Sequence, residues 1–310
     1  MNSDVPEQRI IEQSARLPEG GAVTGWGGCR LLGANFFDGL SNDGHTRLPV
    51  PLCLGSKAQI RGDESVVLLR DALEQTEVLN RHGIPCTRAL RSLFDAARKT
   101  PEVREAVVAI DMMAAAELAS INQLTAYIAM RGGWEGVKQV RQALRLADED
   151  SRSPNETRMR LIWQLDAGFP KPLVNRPVFD LHGRMLGIAD ILDPVAGVVG
   201  EYDGADHRGA QRHRKDVARE EDFRHAGLEY FKVVGPDMHD RHTVVARMDS
   251  TRHRAKWLSP DRRGWTLEPP SGWEQSLTLD QLLERRAVMA ETYAQYELEG
   301  DPDIQEIMNL

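Results

Sequence analysis

Residues 173–204 hold three strand-like runs, "LVNRPVFDL", "RMLGIADILD" and "GVVGEYDG", separated only by the turn signals "HGR" (His182 to Arg184) and "DPVAG" (Asp193 to Gly197). Connections this short allow antiparallel neighbours and nothing else, because a parallel crossover needs about a dozen residues or more. With the second loop at Pro194 to Gly197, Asp193 falls opposite Val198, Leu192 opposite Val199, Ile191 opposite Gly200 and Asp190 opposite Glu201. Opposed residues share a face with Cβ atoms roughly 5 Å apart. Two carboxylates so placed destabilise the hairpin unless something binds between them. A hard divalent cation such as Mg²⁺ takes carboxylate oxygens and is the usual remedy. A one-residue slip would send the two carboxylates to opposite faces.

The flanking segments predict a helix over about Pro154 to Ala167, a second over about Ala210 to Ala226, and a last strand "LEYFKVV", giving the order α-β-β-β-α-β. Glu156 is a candidate third carboxylate, although "SPNE" (Ser153 to Glu156) also reads as a capping box with proline in the first helical turn. Asp203 lies two residues beyond Glu201, on the same face of the strand. Gly204 permits a sharp turn before His207, whose imidazole titrates near neutral pH and suits general acid or base work. Arg208, Arg212, Lys215 and Arg219 then form one helical stripe that could hold a phosphate backbone. Asp216, Glu220, Glu221 and Asp222 stand among them, so a solvated, salt-bridged face is the competing reading.

The N-terminal half offers no comparable convergence. In "GGAVTGWGGCRLLGANFFDG" the glycines miss the G-x-G-x-x-G spacing and no strand is expected to lead into them, so a dinucleotide loop is excluded. A short helix is expected at Trp26 to Leu32, and "LPVPLCLG" and "SVVLLRDA" read as strands. From about Thr87 the pattern is helical; Leu90, Leu93, Phe94 and Ala97 make an amphipathic stripe. The polar run "DEDSRSPNE" marks a boundary near residue 150. The division expected is a mainly helical accessory domain with a short β element (1–150), the α-β-β-β-α-β domain (151–245), and a helical C-terminal extension (246–310), an α+β chain overall.

Cys29, Cys53 and Cys86 form no CxxC pair and read as buried apolar residues. No apolar run approaches a membrane span, and "MNSDVPEQRIIEQ" lacks a signal peptide's basic start, so a cytoplasmic protein with no membrane partner is expected. A net charge of −8 argues against non-specific coating of nucleic acid, yet it allows a local basic stripe beside a carboxylate cluster.

A helix glutamate, an aspartate ending a hairpin's second strand, a glutamate eleven residues on, a basic helix and a further strand together resemble the PD-(D/E)XK nuclease superfamily. The nearer likeness is to the branch of very-short-patch-repair endonucleases. It covers about residues 151–245. E-x-D-G-x-x-H is met by Glu201, Asp203, Gly204 and His207, and D-x-x-R…G by Asp216, Arg219 and Gly227. The first 150 residues resemble, more weakly, a segment of AbiE-type antitoxin-like proteins through "GWGGCRLLGA" and "GIPCTRALRSLFDAA", without the winged-helix module common at their front.

The resemblance implies a restriction-endonuclease-like fold and Mg²⁺-dependent hydrolysis of DNA, with Mn²⁺ as a substitute, in repair or defence. In it Asp190 and Glu201 bind the metal, and Glu156 helps through a water. The superfamily's lysine, two residues after the second carboxylate, is Asp203 here. His207, Lys215 or a second metal through Asp203 would have to replace it, or catalysis is weak. The alternative is a nuclease-fold module without turnover that holds nucleic acid or, through the N-terminal domain, a partner protein.

Overall fold

The computed structural model describes residues 5–56, 58, 60–204, 210–274 and 276–299, the side chains at 210–215 and 294–299 excepted. The N-terminal half runs α1 (Pro6–Ser14), β1 (Ala22–Val23), α2 (Gly25–Leu31), β2 (Val50–Cys53), β3 (Val66–Leu69), β4 (Val78–Arg81) and β5 (Ile84–Thr87). The helices α3 (Ala89–Lys99), α4 (Val103–Ala115), α5 (Ile121–Ala129) and α6 (Val137–Leu144) follow. The β content exceeds the short element expected: the strands form a five-stranded sheet in the order β3-β2-β1-β5-β4. β4 and β5 are a hairpin whose turn residues His82 and Gly83 have φ of 52° and 79°, the positive values a tight two-residue connection demands.

β1 also leads straight into α2, contrary to the expectation that no strand precedes the glycine run. Those glycines serve packing rather than a phosphate. A Cβ on Gly28 would fall 2.2 Å from Ser92 Oγ on α3. Leu93, Phe94 and Ala97 are buried as their stripe predicts, in a helical core with Val107, Ile110 and Leu124.

The second half runs α7 (Pro154–Leu161), continued by a π-helical turn over Ile162–Asp166, then β6 (Leu173–Asp180), β7 (Met185–Asp193), β8 (Val198–Asp203), α8 (Ala210–His225) and β9 (Glu229–Val234). The order α-β-β-β-α-β is the one read from the sequence. α9 (Arg241–Arg254), β10 (Trp265–Thr266) and α10 (Leu279–Glu299) complete the chain. Among the described residues no helix is long and apolar enough to cross a membrane.

The second sheet has the order β10-β6-β7-β8-β9, antiparallel except for β8 and β9, which α8 connects in parallel. The boundary expected at residue 245 falls inside α9. Val244 and Met248 of α9 are buried against Trp163, Phe231 and Val233, and β10 pairs with β6, so residues 241–266 build the same layers. The other face buries Phe223 of α8 with Leu192, Val199 and Tyr230.

Gly200 lies in the middle of this sheet because nothing larger fits: a Cβ there would stand 2.3 Å from Phe231 Cζ and 2.9 Å from Ile191 Cγ1. Gly200→Ala is therefore expected to destabilise the protein by about 1–3 kcal/mol, seen as a lower urea midpoint. An unchanged midpoint would show that the two side chains yield freely.

Candidate functional site

The β7–β8 register is the one the "DPVAG" turn implies: Asp193 pairs with Val198, Leu192 with Val199 and Ile191 with Gly200. Asp193 Oδ1 accepts from the N–H groups of Val195 and Ala196, which fixes the turn. Beyond Ile191 and Gly200 the ladder changes. Asp190 Oδ2 accepts from the Tyr202 N–H at 2.8 Å, so a side chain takes a donor at the strand pair's open end.

The neighbouring ladder is distorted at the same level. The pairs Val174–Ile191 and Arg176–Ala189 flank Asn175, whose φ is 46°. Asparagine tolerates this left-handed conformation better than most residues. Ala189 belongs to the core under α8, whereas Ile191 belongs to the core under α9, so the alternation of faces slips across Asp190. The carboxylate is thereby held at the seam between both layers.

α7 supplies the adjoining wall. Ser153 Oγ caps it by accepting from the Glu156 N–H. The reciprocal half of the expected capping box is displaced by one residue: Glu156 Oε2 accepts from the Arg152 N–H at 2.9 Å and from Asn175 Nδ2 at 2.8 Å. Asn175 also donates to the Asp150 carbonyl. Asn155 Nδ2 donates to Tyr202 Oη at 2.7 Å, tying the same helix to β8.

Glu201 is only 4% exposed. Its Oε2 accepts from Arg219 Nη2 at 2.7 Å and from Tyr230 Oη at 2.9 Å. Its Oε1 is buried with no hydrogen-bond partner, as is Arg219 Nε. Asp203 Oδ2 lies 3.6 Å from Lys232 Nζ, and in the parallel β8–β9 register Lys232 stands beside Glu201.

The electrostatics follow from burial and crowding. Burial, then the Glu156 charge, and further on that of Glu201, push the Asp190 carboxyl up from 3.8 to about 7, against the Tyr202 N–H and Arg219. Burial also raises Glu201, although Arg219, Tyr230 and Lys232 each favour its charged form. The Tyr230 hydroxyl is raised by burial and by the Glu201 charge it donates to.

Of the expected residues, Glu156 and Glu201 thus both act on Asp190 through their charge. Among the described residues, however, no three His, Cys, Asp or Glu side chains converge as a metal-ligating set. The chemistry on offer is narrower: Asp190 and the free Oε1 of Glu201, a pair of hard oxygens, with Glu156 occupied by the α7 cap. Two carboxylates, with waters and substrate phosphate making up the rest, suffice for Mg²⁺.

Arg219 does not extend an outward basic stripe. It turns onto Glu201 and, at 3.3 Å, onto Asp216. His207 and Arg208 lie outside the described residues, as do the side chains of Arg212 and Lys215. The sequence reading missed Asn175, Tyr230 and Lys232. The last two had a signal: in "LEYFKVV", Tyr230 and Lys232 alternate with the apolar Phe231 and Val233 and share a face.

No family model, curated protein or solved structure matches this chain.

Proposed function

We propose that the chain is a metal-dependent endonuclease that hydrolyses DNA phosphodiester bonds, in repair or in defence against foreign DNA. The observation that carries the reading is the pairing of a carboxyl raised to about 7, Asp190, with a buried glutamate, Glu201, that keeps one oxygen unpartnered. A fold keeps such a costly arrangement where function uses it. A Mg²⁺ or Mn²⁺ ion held by Asp190 and Glu201 would supply a Lewis acid for the phosphate oxygens and acidify a nearby water. Glu156 and Asn175 orient the Asp190 segment from α7 and β6.

Lys232 takes the place of the superfamily's lysine in this proposal. Its ammonium reaches the same strand face from β9, beside Asp203 and Glu201, and is placed to steady an attacking water. Lys232→Met is expected to lower kcat about a hundredfold with little change in KM. Equal loss in binding and turnover would make Lys232 a structural counter-ion instead.

The Arg219–Glu201 contact favours the second reading, a nuclease-fold module without turnover. A guanidinium already neutralises the glutamate that a metal would need. Calorimetric titration of Mg²⁺ and Mn²⁺ together with plasmid nicking, on wild type and Asp190→Ala, separates the two. Metal binding and nicking that both vanish in the variant support the nuclease. Absence of both in the wild type supports the binding module.

A further inference from the structure

Positive charge is concentrated away from the expected α8 stripe. Between Arg241 and Trp265 stand seven arginines and lysines against two aspartates, in a chain with 39 basic and 47 acidic residues. Part of this set is structural. Arg247 bonds Asp237 and the Lys232 carbonyl, and Arg263 bonds the Leu258 carbonyl. Arg241, His253, Lys256 and Arg262 are exposed, and their side chains make no hydrogen bond or ion pair among the described residues.

Trp257 directly follows Lys256, three residues beyond the end of α9. It is 47% exposed, and its backbone has a φ of 52°, a conformation that costs energy for a bulky residue. Its ring is backed by Arg252, whose guanidinium lies 4.4 Å from the Trp257 centroid and 4.8 Å from that of Phe169. Arg252 is fixed in turn by Asp193 at 3.0 Å. A half-exposed indole stacked on a guanidinium, in a segment whose neighbouring Lys256 and Arg262 have no protein partner among the described residues, has the composition of a base-stacking platform. Asp193, which anchors Arg252, lies three residues or roughly 10 Å from Asp190 along β7. The platform stands on the α9 side of the sheet, opposite α8.

We infer that Trp257, with His253, Lys256 and Arg262, binds single-stranded nucleic acid, the ring stacking on a base and the cations holding phosphates. The inference deepens the proposed function and rests on it for DNA as the ligand. In this arrangement an unpaired or displaced strand is held on the α9 side of the sheet that carries the carboxylates.

Fluorescence anisotropy of a labelled oligo-dT in EDTA, where no cleavage occurs, tests it on the full chain. Trp257→Ala is expected to weaken binding about five- to a hundredfold, while Trp257→Phe retains most of it. Lys256→Glu with Arg262→Glu is expected to weaken binding and to flatten its dependence on salt. Melting curves confirm that each variant is folded. Wild type that binds no oligonucleotide, a folded Trp257→Ala that binds like wild type, or tighter binding to phosphatidylglycerol vesicles than to the oligonucleotide would each overturn the inference. The nuclease reading fails separately: a wild type that binds through Trp257 yet never nicks leaves this surface standing and removes the active site.

Discussion

Asp190→Asn is expected to abolish metal-dependent cleavage and, in the absence of metal, to make the protein more stable at pH 8. The two effects share one cause. Burial and the charges of Glu156 and Glu201 hold the Asp190 carboxyl at about 7 instead of 3.8. A group whose pKa is higher in the folded state favours folding most fully below its unfolded value, near pH 4, and loses that contribution as the pH rises through about 7. Above pH 7 the wild type therefore carries a buried charge that costs about 4 kcal/mol relative to acid. Asparagine removes the charge and still offers Oδ1 to the Tyr202 N–H. Its amide group, short of acceptors, gives back about 1–3 kcal/mol. A net gain of about 1–3 kcal/mol at pH 8 should shrink as the pH falls and turn into a loss of about 1–3 kcal/mol near pH 4, measured by urea unfolding in EDTA. Cleavage should fall at least about a hundredfold. A variant less stable than wild type at pH 8 would mean that Asp190 is held by interactions worth more than its burial costs.

What could be read from the residues was what local chemistry dictates. The "DPVAG" turn set the β7–β8 register because Asp193 caps its own turn. The stripe on α3 was legible because four apolar residues recur at helical spacing. β10 escaped notice because two residues have no period, and Trp265 and Thr266 are strand only by pairing with β6. α9 was hidden by its charge: its buried positions, Val244, Met248 and Thr251, are few among six basic side chains, four arginines and two histidines. The site divides the same way. The direct Asp190–Glu201 opposition expected from the turn is not among the observed pairs, because the Asp190 side chain takes the Tyr202 N–H where the ladder would continue. That Arg219 turns inward follows from burying Glu201, a tertiary demand no helical spacing displays. Asn175 bends the β6 ladder only because Glu156 and Asp150 take its amide, and neither is near it in sequence.

Arg160→Met is expected to destabilise the protein by about 3–5 kcal/mol, enough to remove a large fraction of a typical domain's stability. Arg160 on α7 is fully buried, and its Nη2 bonds Asp111 Oδ2 on α4 at 2.7 Å. Asp111 also accepts from Thr157 Oγ1 and from the Asp148 N–H, yet burial still pushes its carboxyl up to about 6. Around this pair, Arg104 bonds Asp166 and Arg158 bonds Glu105 through two hydrogen bonds each, so α4 is clamped along α7 and its π-helical turn. Removing the guanidinium leaves a buried carboxylate short of its counter-charge. Asp111→Leu combined with Arg160→Met should recover most of the loss, because the uncompensated charge goes with it. The single variant should also weaken Mg²⁺ binding, since α7 carries Glu156 and the cap that holds Asn175. Urea unfolding reads the first effect and calorimetry the second. A single variant within 1 kcal/mol of wild type, or a double variant no better than the single, would show that the Arg160–Asp111 pair contributes no net hold of α7 on α4. The Arg104–Asp166 and Arg158–Glu105 pairs, with apolar packing, would then be what seats α7.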